Sequence, residues 1–336
     1  MAVAAPTTLM NNVEAVRHTL YEALKNDERT LVLGEDVGAR GNVFLITKGF
    51  LEEFGPERVL DTPLAEASIV GVAIGMAMEG LRPIAEIQFA DFIYPAFNQI
   101  VGEAAKTRYR SNGDYTCPLV IRTPYGGGVR GALSHSVSIE ALFYHVPGLK
   151  IVAPSFPADI KGLLNAAIDD PDPVLFLEHK KLYREMYNRA PYPGPDFMIP
   201  FGKAKVVKTG TSLTVITYGA IVQKALLAAQ DVEKRSPGVS IEVIDLRTLS
   251  PYDWDAIRTS VEKTSRVMVA HEDTLSFGYG AEIVARIADE LFTSLDAPVK
   301  RVAALDTWVG YHPQLEAKIL PQTDDLVRTI DQLLAW

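Results

Sequence analysis

The sequence predicts an α/β protein of two three-layer domains, and three observations carry that prediction. Short β-rich runs alternate with longer helical patterns through all 336 residues, as stacked βα units do. Several of the runs are apolar on both faces, as central parallel strands covered by helices must be. A proline-rich stretch at 187–200, YNRAPYPGPDFMIP, interrupts the alternation, which then restarts.

In the first half the spacing predicts strands at 31–33, 83–87, 119–121, 151–153 and 174–177. Helical patterns fall at 13–24, 67–78, 94–108 and 159–168. In the second half strands are expected at 214–217, 241–244, 267–270 and 302–304, and helices at 221–232, 255–261, 279–291 and 323–334. The expected division is a domain at 1–190, a linker at 191–199 and a domain at 200–336.

Composition narrows the function. With 48% hydrophobic residues the chain can bury a sizeable core. Thirty-three Lys and Arg against 42 Asp and Glu give a net charge of −9, which works against a general nucleic-acid surface. The one cysteine, Cys117, excludes an intrachain disulfide and any cysteine-based zinc or iron–sulfur cluster. The most apolar run, 67–78, lies between Glu66 and Glu79 and falls short of the ~20 residues that span a bilayer, so it reads as a buried helix. Residues 1–6 carry no signal-peptide pattern and read as a short frayed tail, so no membrane association is expected and the cytoplasm is the expected compartment.

Candidate chemistry begins at Glu66, an acid at the head of an otherwise small and apolar helix, DTPLAEASIVGVAIGMAMEG. One reading is structural: Thr62 caps, Pro63 opens the first turn, and the carboxylate gains from the helix dipole. The other is a partly buried proton-handling group whose pKa is raised by desolvation. The loop TPYGGGVRGALSHS, 123–136, follows a strand and ends in His135 near Arg130, so His135 is either a solvated loop histidine or a proton shuttle. His145 reads as a cap or packed histidine. In AEIQFADFIYPAFNQI, 85–100, the aromatic side chains either pack between helix and sheet, or Gln88 and Phe92 face a planar heteroaromatic ligand. Gly71 and Gly75 read as close-packing positions. The sequence contains no GxGxxG that opens a strand-turn-helix unit, and no GxxxxGK[ST], HExxH or GxSxG motif. An enzyme or enzyme subunit is therefore the leading class, and a structural partner without chemistry of its own is the alternative.

These residues resemble a known family, the beta subunits of the E1 component of 2-oxo acid dehydrogenase complexes. The likeness runs through eight blocks in order: LGEDVG (33–38), DTPLAEASIVGVAIG (61–75), AEIQFADF (85–92), AKTRYRSNG (105–113), GGGVRGALSHS (126–136), PGLKIVAPS (147–155), DPVLFLEHKKLYR (172–184) and IDLRTLSP (244–251). The resemblance implies an α2β2 heterotetramer that uses thiamine diphosphate and magnesium. The beta chain would supply the pyrimidine-binding half of the site and an alpha chain the pyrophosphate half. This sequence lacks the GDG segment and following Asn that would ligate magnesium, so it is expected to hold half a site.

By the same resemblance Glu66 hydrogen-bonds the pyrimidine ring nitrogen N1′, and Leu64, Gln88 and Phe92 line the cofactor. His135 would transfer protons when the lipoyl arm of E2 is acylated. The backbone near Cys117, Leu119, Ala167, Asp170 and Asp172 resembles a structural potassium loop. The C-terminal domain is expected to make dimer contacts and to dock the E2 core, with His271 and His312 as structural or interface residues. The substrate lean is toward branched-chain 2-oxo acids, with pyruvate and acetoin enzymes as alternatives.

Overall fold

The computed structural model describes residues 9–336; the tail expected at 1–6 lies outside them. The chain forms two compact units. The first runs to Tyr125 and resumes at Leu142–Phe201; the second comprises Gly126–Ala141 and Gly202–Trp336. The glycine-rich loop, placed in the first domain by the sequence reading, thus clusters with the second unit.

In the first unit, strands β1 (Thr30–Gly34), β2 (Val59–Asp61), β3 (Arg82–Glu86), β4 (Val120–Tyr125), β5 (Lys150–Val152) and β6 (Val174–His179) lie side by side as β5-β6-β4-β3-β1-β2. Every neighbouring pair is parallel. The chain steps from β1 outward to β2, then returns past β1 to β3. Such a reversal leaves a crevice at the carboxyl ends of the strands, the usual ligand position in an open α/β sheet.

Helices Asn12–Asn26 and Pro157–Asp169 pack together over the sheet, burying Val16, Leu20, Ile160 and Leu163 in one core with Val32 and Val174. Asn11 and Glu14 close the first helix with a reciprocal capping box. The expected linker is not a free tether: Ile199 N donates to Gly162 O at 3.1 Å, and Asn165 Nδ2 donates to the carbonyls of Pro195 and Phe197. Gly162 permits this passage, since a Cβ there would stand 2.6 Å from Ile199.

Two local expectations are corrected. The helix predicted at 94–108 is broken into Tyr94–Ala96, a π-helical turn Gln99–Glu103, Ala104–Lys106 and Thr107–Arg110. Pro95 cannot supply an amide, and the π turn inserts a residue around Gly102. The apolar helix starts at Glu66, with Ala65 as its cap residue, and not at Pro63. Thr62 stands four residues before that start, outside the cap position, and its amide donates to Gly34 O at 3.0 Å, continuing the β1–β2 ladder.

In the second unit, β7 (Lys205–Lys208), β8 (Leu213–Thr217), β9 (Ile241–Asp245), β11 (Val267–Thr274) and β12 (Lys300–Ala304) are arranged β12-β11-β8-β9-β7, with a short β10 at Thr248–Ser250. Only the β7–β9 pairing is antiparallel. Helices Ile221–Arg235 and Thr323–Leu334 bury Ala225, Ala229, Leu326 and Ile330 against Val215, Val243 and Met268. Both units are α/β, as the sequence predicts. Among the described residues no helix is long and apolar enough to cross a membrane.

Candidate functional site

Glu66 is the first residue of helix Glu66–Met78 and is 9% exposed. It follows β2, while Glu35 follows β1 and Gln88 follows β3, so the reversal point brings these side chains to one edge of the sheet. Burial, then the like charges of Asp36 and Glu66, raises the Glu35 pKa, which places a second acid in the electrostatic field of Glu66. Gln88 and Phe92 are half-buried, and Leu64 is 70% exposed. Phe92 meets Phe89 edge-on at 5.7 Å, and Phe89 meets Phe44 at 5.9 Å. These aromatic side chains therefore form a packed group of their own. The loop after β1 is held in place by Asp61, which accepts from Gly38 N at 2.5 Å and Ala39 N at 3.2 Å.

Beneath this edge lies a buried charge network that sequence reasoning missed. Arg122 on β4 donates to Glu86 on β3 at 2.6 Å and to both oxygens of Glu178 on β6 at 2.7 and 3.0 Å. Asn42 Nδ2 donates to Glu86 at 2.9 Å, and the Tyr183 hydroxyl donates to Glu178 at 2.8 Å. Burial works against the Arg122 charge, yet Glu178 and Glu86 outweigh it and hold the guanidinium above its ordinary range. One cation balances only one of two carboxylates, and burial raises the Glu86 pKa despite Arg122. Charged residues inside three otherwise buried strands were the available signal.

His135 belongs to the second unit and is half-buried, just after a 3₁₀ turn at Ala132–Ser134. Glu66, Leu64, Gln88 and Phe92 thus belong to the first unit and His135 to the second. Its loop is anchored to its own unit: Gly127 N donates to Glu272 at 2.5 Å, and Gly128 N and Arg130 N donate to Glu316 at 2.9 and 3.1 Å.

The residues of the potassium-loop reading lie at the opposite, amino-terminal edge of β4 and β6. Cys117 N donates to Pro171 O, while Lys150 Nζ binds Asp170 at 2.6 Å and Arg108 binds Asp172 at 2.5 Å. The two acidic side chains are thus already paired with cations, and any ion there would rest on carbonyls. Burial pushes the Cys117 thiol up to about 12, so it is protonated and unreactive at neutral pH. His145 is exposed directly after helix Glu140–Tyr144, a cap position and not a packed one. His312 caps helix Pro313–Ile319, its Nδ1 accepting from Gln314 N at 3.3 Å. His271 is fully buried, and burial first, then Arg301, lowers its pKa to about 4, which leaves it neutral.

Comparison with known proteins accords with this architecture. Residues 9–186 match the family model for the transketolase pyrimidine binding domain, and residues 202–326 match the transketolase C-terminal domain. The chain is similar to a 2-oxoisovalerate dehydrogenase subunit beta of Bacillus subtilis, 50% identical across 97% of this chain and 99% of that one. It is 48% identical to a pyruvate dehydrogenase E1 component subunit beta of the same organism, with the same coverage. Its fold resembles that of a split gene transketolase solved as an inactive beta4 tetramer, with a TM-score of 0.78 at 23% identity over 97% of this chain and 98% of that one.

Proposed function

The chain belongs to the family of 2-oxo acid dehydrogenase E1 beta subunits, built from transketolase pyrimidine-binding and C-terminal domains, and we propose that it serves a thiamine diphosphate-dependent branched-chain 2-oxo acid dehydrogenase. The observation that carries the reading is Glu66: a buried acid at the head of an apolar helix, at the edge of the sheet where the strand order reverses. The surroundings fit an aminopyrimidine. An acid stands ready for a ring nitrogen, Gln88 offers an amide, and the Phe89–Phe92 pair offers a ring surface.

When bound, thiamine diphosphate supplies an electron sink for decarboxylation of a 2-oxo acid. The work left to this chain is placement and proton handling. Glu66 holds a proton at the pyrimidine ring nitrogen N1′, Phe92 packs on the ring, and Gln88 and Leu64 bound its edge. His135 delivers a proton during reductive acylation of the E2 lipoyl group. Magnesium and pyrophosphate fall to an alpha subunit in an α2β2 tetramer, because this sequence lacks the GDG segment and its Asn. Carbonyls near Cys117, Leu119, Ala167, Asp170 and Asp172 are the proposed potassium ligands.

Exposed apolar residues support partner contacts: Leu64 and Val72 in the first unit, and Phe277, Trp308 and Tyr311 in the second, where docking of the E2 core is proposed. The complex is assigned to the cytoplasm. The pyruvate reading is favoured by the 48% identity to a pyruvate dehydrogenase beta subunit, only slightly below the 50% of the branched-chain relative.

Decarboxylation assays on the purified chain, alone and with its alpha subunit, test the proposal. The chain alone is expected to be inactive, and the tetramer active only with thiamine diphosphate and magnesium. Values of kcat/KM are expected to favour 3-methyl-2-oxobutanoate and 4-methyl-2-oxopentanoate. A preference for pyruvate or acetoin would reassign the substrate, and full activity without the alpha subunit would overturn the split-site reading.

A further inference from the structure

The loop Gly126–Ala141 is held in an unusual way. Three of its backbone amides, from Gly127, Gly128 and Arg130, donate to two carboxylates more than a hundred residues away in sequence. Both acceptors, Glu272 at the end of β11 and Glu316 in helix Pro313–Ile319, are buried, at 6% and 7% exposure. Buried carboxylates that accept successive amides form strong, directional bonds. Behind the loop lies a cavity of about 70 Å³ between Leu133, Ser136, Val137, Glu272, Thr274 and Trp308, so side-chain packing alone does not pin this stretch.

The backbone needs such restraint. Arg130 and Ala132 stand at φ 60° and 53°, a region that side-chain-bearing residues rarely adopt unless their surroundings impose it. Gly127 lies close to its neighbours, and a Cβ there would sit 2.6 Å from Leu320 Cδ1, so that side chain would have to move aside. Just past the clamped amides, the Gly131 Cα faces His135 so closely that a Cβ would lie 2.5 Å from the His135 carbonyl oxygen and 2.7 Å from its Cβ. The mechanical path is short: the carboxylates fix 127–130, and Gly131 packs against His135.

We propose that Glu272 and Glu316 are positioning residues that set the placement of His135 through the loop backbone. This rests on the proton-transfer role given to His135 above. If that role is correct, loosening the clamp slows acyl transfer to lipoamide, because misplacing a proton-transfer group by about 1 Å costs up to ~100-fold.

The test compares Glu316→Ala, Glu316→Gln, His135→Ala and the double Glu316→Ala/His135→Ala variant in reconstituted α2β2 protein. Amide hydrogen exchange across 127–135 reads the clamp directly, and acylation of a lipoyl domain reads its consequence. Glu316→Ala is expected to raise exchange in that segment and lower kcat by roughly 10- to 100-fold, with little change in KM for the 2-oxo acid. Glu316→Gln keeps an accepting oxygen and should recover most of the rate. The double variant should be no slower than His135→Ala alone. Unchanged exchange in Glu316→Ala, or losses that multiply in the double variant, would overturn the proposal.

An unimpaired His135→Ala would instead remove the role of His135, while faster exchange in Glu316→Ala would still report the clamp. Should Glu316→Ala fail to assemble, Gly131→Ala carries the test, since it leaves both carboxylates in place and presses on His135 directly. A similar fall in kcat, not compounded by His135→Ala, is then expected; an unchanged kcat would refute it.

Discussion

At Glu66 a helix start and a ligand compete for one carboxylate, and the two readings differ in what a substitution there should do. Glu66 is the first residue of its helix, where the dipole favours a carboxylate, and it also stands at the reversal of the strand order, where ligands of open α/β sheets bind. Glu66→Gln keeps size and much hydrogen-bonding capacity but removes the titratable proton. In the reconstituted tetramer, hydrogen–deuterium exchange at the cofactor's thiazolium C2 is expected to slow by about 100-fold or more, with assembly intact. An unchanged rate would return Glu66 to a purely structural role, for which the change costs only about 0.3–1 kcal/mol. Glu66 was legible because a lone acid heads an apolar run. Asn42 and Arg122 were not, because their meaning depends on carboxylates 44, 36 and 56 residues distant.

Among the elements, helix Glu66–Met78 shows how a sequence can be apolar on every face while only one face finds cover in its own chain. Ile69, Val70, Ala73 and Ala77 are buried, whereas Val72 is 52% exposed. The glycines, read from sequence as close-packing positions, touch little here: a Cβ on Gly75 would meet nothing within 4 Å, and one on Gly71 only Gln99 at 3.7 Å. Their small surface thus faces outward, as expected where another chain approaches. Val72→Asp should leave the fold within about 0.5 kcal/mol, as exposed substitutions do, yet put an unpaired charge into the proposed contact and weaken assembly with the alpha subunit. Sedimentation velocity of the mixed chains checks this, and undisturbed tetramer formation would move the interface elsewhere. The central strands were visible in sequence because they are apolar runs; β2 is three residues long, and β7 is an exposed antiparallel edge, so neither has a pattern to read.

For the whole molecule, what lay beyond reach of a linear reading was non-local closure. The loop of His135 joins the second unit through contacts 145 to 188 residues apart, and that closure also buries Glu140. Burial, then Asp273 and Glu272, raises the Glu140 pKa well above its ordinary 4.5. The folded chain therefore keeps a proton that the unfolded chain releases. Its stabilising share is complete below pH 4.5 and is lost as pH climbs through the raised value. His271 acts in the other direction: with its pKa lowered from 6.5 to about 4, it contributes stability above pH 6.5 that fades as pH falls toward 4. Glu140→Gln removes the first of these while keeping the shape of the side chain. Thermal melts at pH 5 and pH 8 should show a variant whose Tm advantage over the parent grows with pH, by ~2–4 °C for each kcal/mol gained. A constant difference across that range would mean that Glu140 is charged in the fold, and that Asp273 or an unrecognised cation bears its burial.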